Sequence, residues 1–122
     1  MFAGFSYVML YTPSVDQAVL WYVNHLDFTV ERHITGEYAV LVHEKAGRLA
    51  LHASRGAGGI GCGPVPYFAV DDIDAAVRML EQMGVEVNPP RQEGSGPRFT
   101  QFRDGDGNII GMEEHFAHQF AI

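Results

Sequence analysis

One cysteine, Cys62, stands among 122 residues, so no internal disulfide can form and no cysteine-rich zinc module can be built. Cations are scarce: eight Lys and Arg face fifteen Asp and Glu, for a formal charge of −7. A phosphate backbone or an anionic lipid surface needs clustered Lys and Arg, so the balance argues against nucleic acid and membrane as partners. It leaves room for a cationic or neutral small ligand. No apolar run approaches the roughly 18 residues of a membrane span. The opening Met1-Phe2-Ala3-Gly4-Phe5 has no basic stretch followed by a long apolar one, so it does not read as a signal peptide, and a cytoplasmic location is expected. With 47% hydrophobic and 19% charged residues the composition is globular. The length suits one domain.

What is present is a repeat. Ser14-Val15-Asp16-Gln17-Ala18-Val19 returns 58 residues later as Asp72-Ile73-Asp74-Ala75-Ala76-Val77. Each copy follows a strand-like run, Tyr7 to Tyr11 and Val65 to Val70, and each has helical periodicity. Val15, Ala18, Val19, Tyr22 and Leu26 form one apolar stripe, and Ile73, Ala76, Val77 and Leu80 form the other. Ser14, with Gln17, is placed to cap the first helix, and Asp71 or Asp72 the second. Gly84 supplies a left-handed stop. Strands are expected at Phe28–Ile34, Tyr38–His43 and Arg48–Ala53, then at Val85–Val87, Arg98–Arg103 and Asn108–Glu113.

Each half thus reads β-α-β-β-β. The expected layout is one domain over 1–122, with module one at 1–54, a Gly-rich linker at 55–64, module two at 65–114 and a tail at 115–122. The linker has too many glycines for a stable element, and no Lys-Ser or Lys-Thr pair that would make it a phosphate loop. The fold class is α+β: two βαβββ modules whose curved mixed sheets enclose a cavity. Neither half buries a core easily alone, and a homodimer is expected.

The order of these motifs resembles the vicinal oxygen chelate superfamily, the glyoxalase, bleomycin-resistance and extradiol-dioxygenase group. Tyr7 through Tyr22 follows its opening pattern, ending in the pair Trp21-Tyr22. Leu26-Asp27-Phe28 stands where the family usually has Leu-Gly-Phe. Phe102-Arg103-Asp104-Gly105-Asp106-Gly107-Asn108 matches its closing turn, with Gly105 in place of the usual Pro. The resemblance implies paired βαβββ modules, and in metal-dependent members a divalent ion held on the cavity faces of up to four strands. The implied positions fall on Tyr7, Val65 and Gly111, with Ala50 and His52 facing the cavity in the fourth strand. A catalytic dication needs about three protein ligands, and one imidazole does not supply them. No metal and no other cofactor is therefore expected. His25, His33, His43, His115 and His118 read as surface or core-edge imidazoles.

Strand alternation sets the cavity lining. With Val8, Leu10, Leu49, Leu51, Phe68 and Val70 under the helices, the opposite faces carry Tyr7, Met9, Tyr11, His52, Tyr67 and Gly111, with Tyr38 and Phe99 as further candidates. Gly111 would leave a ligand room near the backbone. Aromatic rings with polar tips suit a small-molecule pocket. The acidic residues Glu31, Glu37, Glu44, Asp104, Asp106, Glu113 and Glu114 read either as a solvated surface or as a field for a cation. The expected function is metal-free sequestration of an aromatic or cationic molecule such as an antibiotic, as the resemblance to bleomycin-resistance members implies, with no catalytic residue. The alternative is a glyoxalase-like metal-dependent lyase or isomerase, or a dioxygenase-related enzyme.

Overall fold

The computed structural model describes residues 1, 3, 5–54 and 64–115. Cys62, His118, most of the expected linker and the tail beyond residue 115 lie outside the described residues. The chain divides into two compact units, Met1–Cys62 with Gly105–Asn108, and Gly63–Asp104 with Ile109–Ile122.

In the first unit β1 (Val8–Thr12) leads into α1 (Val15–Leu26), followed by β2 (Thr29–Ile34), β3 (Tyr38–His43) and β4 (Gly47–Ala53). The four strands form one mixed sheet in the order β1-β4-β3-β2, with β1 and β4 parallel and the other pairs antiparallel. Ser14 caps α1, its hydroxyl accepting from the Gln17 N–H. The helix ends at Asp27, which takes the left-handed conformation at φ 61° that glycine adopts without strain. That is the place where the family pattern has glycine. Val15, Ala18, Val19 and Tyr22 are buried, as are Leu10, Ala39, Leu41, Leu49 and Leu51 of the sheet. Full burial of one such large side chain contributes about 1.5–3 kcal/mol before ordering costs, so this layer holds the unit together.

The second unit repeats the plan. Its elements are β5 (Tyr67–Val70), α2 (Ile73–Gln82), β6 (Arg91–Gln92), β7 (Arg98–Arg103) and β8 (Ile109–Glu114). The sheet order β5-β8-β7-β6 matches that of the first unit. The two sheets and two helices bear out an α+β fold of two βαβββ modules. Asp72 caps α2 by accepting from Ala75 N–H, and Gly84 has φ 84° just past its end. Ile73, Leu80, Val85, Phe102, Ile110 and Met112 are buried.

One expected strand is corrected. Val85–Val87 forms no ladder and contributes a single bridge from Val87 to Phe102, while the edge strand lies later, at Arg91–Gln92. Pro89 and Pro90 intervene, and a residue without an N–H cannot sustain a ladder. Among the described residues no helix is long and apolar enough to cross a membrane.

Candidate functional site

The registers fix which side chains share a face. Tyr38 pairs with His52 and His52 with Tyr11, while Val40 pairs with Ala50 and Ala50 with Met9. Directly paired residues point to the same side of a sheet. These six therefore lie opposite Leu10, Leu41, Leu49 and Leu51, which are buried beneath α1. Tyr7, Met9 and Tyr11 are each about 40% exposed, large areas for rings and a thioether in a folded unit.

An open-sided cleft of about 630 Å³ lies on this face, lined by Ser6, Tyr7, Met9, Tyr38, Val40 and His52 together with three charged side chains, Glu31, Arg32 and Arg48. His52 is its polar centre. Its ring stands edge-on to Tyr11 at 6.1 Å and parallel to Tyr38 at 6.5 Å. Its Nδ1 lies 2.9 Å from the Ala53 carbonyl. Arg48 donates from Nε (3.0 Å) and Nη2 to one oxygen of Glu31. Arg32 donates from Nη1 to the Tyr38 hydroxyl at 3.0 Å, a bond that raises the guanidinium pKa further above its ordinary value. Two guanidiniums and one carboxylate border the cleft, so its local charge is opposite in sign to that of the chain.

Tyr7, Met9 and His52 thus line one cleft, and Tyr11 flanks His52 from the same face. Tyr67 and Gly111 belong to the second unit, where they pair with each other and Gly111 pairs with Gln101. The room expected beside Gly111 is occupied. A Cβ placed there would lie 2.4 Å from the Tyr67 ring, and the Tyr67 hydroxyl accepts a 2.6 Å hydrogen bond from Gln101. Phe99 lies on that sheet, with Arg91 Cζ 5.2 Å above the centroid of its ring. Arg91, Phe99 and Gln101 border a smaller cleft of about 320 Å³ with Asn88, Pro89 and Thr100.

Arg32 and Arg48 of the first cleft escaped the sequence reading, which took Glu31 as solvated surface or as part of a field for a cation. All six residues of β2 are exposed, and its register shifts between Val30 and Arg32. Strict alternation therefore fails where Glu31 and Arg32 sit. Several other charges have structural partners. Glu114 accepts from the Ile73 N–H at the start of α2 and from Arg98, which also binds Asp74. Arg98 holds both carboxyls below their usual pKa range. His33 bonds Asp16 at 2.6 Å, His25 stacks on Trp21 at 4.6 Å, His43 accepts from two turn N–H groups, and His115 contacts Glu113 at 2.7 Å.

The donors can be tested against the metal site the resemblance implies. The 58-residue repeat carries Met9 onto Tyr67. The registers pair Met9 with Ala50 and Tyr67 with Gly111, so Ala50 is the counterpart of Gly111. Ala50, Val65 and Gly111 offer no side-chain donor, and Tyr7 offers a phenol. Among the described residues no group of three His, Cys, Asp or Glu side chains could hold an ion. These residues do not fit a divalent metal.

Comparison with known proteins agrees with the architecture. Residues 4–112 match the family model described as Glyoxalase/Bleomycin resistance protein/Dioxygenase superfamily, and the chain belongs to that family. No curated protein matches the sequence. Among solved structures, a superfamily member from Sphaerobacter thermophilus is 25% identical, with a TM-score of 0.81 over 94% of this chain and 99% of that one. TnmS3, an antibiotic binding protein from Streptomyces sp. CB03234, is 24% identical, with a TM-score of 0.69 over 93% and 98%. A lactoylglutathione lyase from Agrobacterium tumefaciens is 16% identical, with a TM-score of 0.75 over 99% and 98%.

Proposed function

We propose that the protein binds a flat aromatic small molecule on the open face of its first sheet and releases it chemically unchanged. The observation that carries this reading is the cleft itself: Tyr7, Met9, Tyr38 and His52 offer ring and thioether surface to solvent on a face with no metal-ligand set among the described residues. The likeness in fold to an antibiotic binding protein supports sequestration as the purpose. The guanidiniums beside the cleft favour the aromatic half of the expected ligand class over the cationic half. The protein works as a homodimer without metal or cofactor, and sedimentation at micromolar concentration returns twice the chain mass.

A thermal-shift screen of aromatic compounds tests the reading. A ring contact contributes roughly 0.5–2 kcal/mol. Tyr7→Ala and His52→Ala therefore each weaken a hit by about twofold to thirtyfold. Unchanged affinity in both variants would overturn the assigned site, and accumulation of product would overturn sequestration.

A further inference from the structure

The hydrogen-bonding pattern of the same cleft narrows its ligand class, an inference that rests on the proposed binding reading. A backbone carbonyl can only accept, so the 2.9 Å contact from His52 Nδ1 to the Ala53 oxygen places the ring proton of neutral His52 on Nδ1. Nε2 is then a bare acceptor. Its ring is held between Tyr11 and Tyr38, so the acceptor is fixed in direction. Arg32 is the complementary group. Among the described residues it makes one side-chain hydrogen bond, to Tyr38, and no ion pair. Most of its N–H groups remain for a ligand. Arg48 differs, since Glu31 already engages it.

We infer that the cleft selects a planar hydroxyaromatic carboxylate, whose hydroxyl donates to His52 Nε2 and whose carboxylate accepts from Arg32. A guanidinium presents parallel N–H groups that match two carboxylate oxygens, and such charge-assisted bonds are stronger than neutral ones. An acceptor fixed toward the ligand selects for a donor, because an ether oxygen facing it forms no bond and loses water. A ligand cation would meet Arg32 with like charge.

Four naphthalene probes separate these contributions: 6-hydroxy-2-naphthoate, its methyl ether 6-methoxy-2-naphthoate, uncharged 2-naphthol, and 2-naphthyltrimethylammonium. Their affinities are measured by titration calorimetry on the full chain. The hydroxynaphthoate binds about tenfold more tightly than either the methyl ether or naphthol. The ammonium compound binds most weakly. Arg32→Gln removes the advantage of the hydroxynaphthoate over naphthol. His52→Phe keeps a ring in place and makes the hydroxy and methoxy compounds equivalent, with His52→Gln as the substitute should the Phe variant fold poorly. The 15N spectrum of free neutral His52 shows a protonated Nδ1 and a bare Nε2. Equal binding of the hydroxy and methoxy probes by the parent, tighter binding of the cation, or the opposite tautomer overturns this inference while aromatic capture stands. If no naphthyl probe binds, both fall.

Discussion

Trp21 and Gly105 offer a sharp test of how the closing turn is fitted to the first helix. The family pattern has proline where this chain has Gly105. A Cβ at that position would lie 2.8 Å from Trp21 Cδ1, 3.1 Å from Cγ and 3.3 Å from Nε1. Ordinary contact begins near 3.4 Å, so the indole would have to retreat by roughly 0.6 Å or more. It is not free to do so, being stacked on His25 at 4.6 Å and edge-on to Tyr22 at 5.2 Å. Overpacking of this kind costs about 1–3 kcal/mol. Gly105 does not have a positive φ, so alanine also reduces unfolded-chain entropy and returns about 0.4–1 kcal/mol. Gly105→Ala is therefore expected to destabilise the protein by about 1 kcal/mol in urea denaturation followed by circular dichroism. Emission from Trp21, the one tryptophan, shifts with it. In a Trp21→Leu background the obstruction is gone and the same substitution turns stabilising by about 0.5 kcal/mol. An equal cost in both backgrounds would refute the reasoning.

Asp27→Gly is expected to stabilise the protein by about 0.5–1 kcal/mol, because the left-handed conformation at φ 61° strains an L side chain; chemical denaturation checks it. Arg98→Gln acts through pH. Asp74 and Glu114 have native pKa values lowered by Arg98, so their stabilisation is present above the ordinary carboxylate pKa and is lost as pH falls through the lowered native values. The variant is accordingly less stable than the parent at neutral pH, and the gap closes in acid; denaturation curves from pH 7 down to pH 2 measure it. Gly111→Ala pushes the Tyr67 ring outward and breaks its bond with Gln101, at about 1 kcal/mol, with the displaced ring visible in a crystal structure.

The fold was legible where physics repeats. Helical stripes, caps at Ser14 and Asp72 and the Gly84 stop depend on local spacing, and strand alternation put Tyr7, Met9, Tyr11 and His52 on one face. What escaped the sequence depends on irregularity or on side-chain direction. The register shift after Val30 hid Arg32 and the place of Glu31 in the cleft, and the direction of the Tyr67 ring hid the filling of the space over Gly111. The bridging of Glu114 from β8 to the first N–H of α2 is a long-range pairing with no local signature. Pro89-Pro90 was a readable break, yet it did not reveal that pairing resumes at Arg91.

Methyl NMR of protein labelled at the methionine ε-carbons measures the central claim most directly. Met9 lines the cleft, whereas Met79 and Met83 are exposed on or just after α2. On titration with 2-naphthol and with 6-hydroxy-2-naphthoate, the Met9 signal should move and saturate while Met79 and Met83 stay fixed, with the added compound recovered intact. Movement at Met79 or Met83 with Met9 unchanged, or conversion of either compound, would contradict the account.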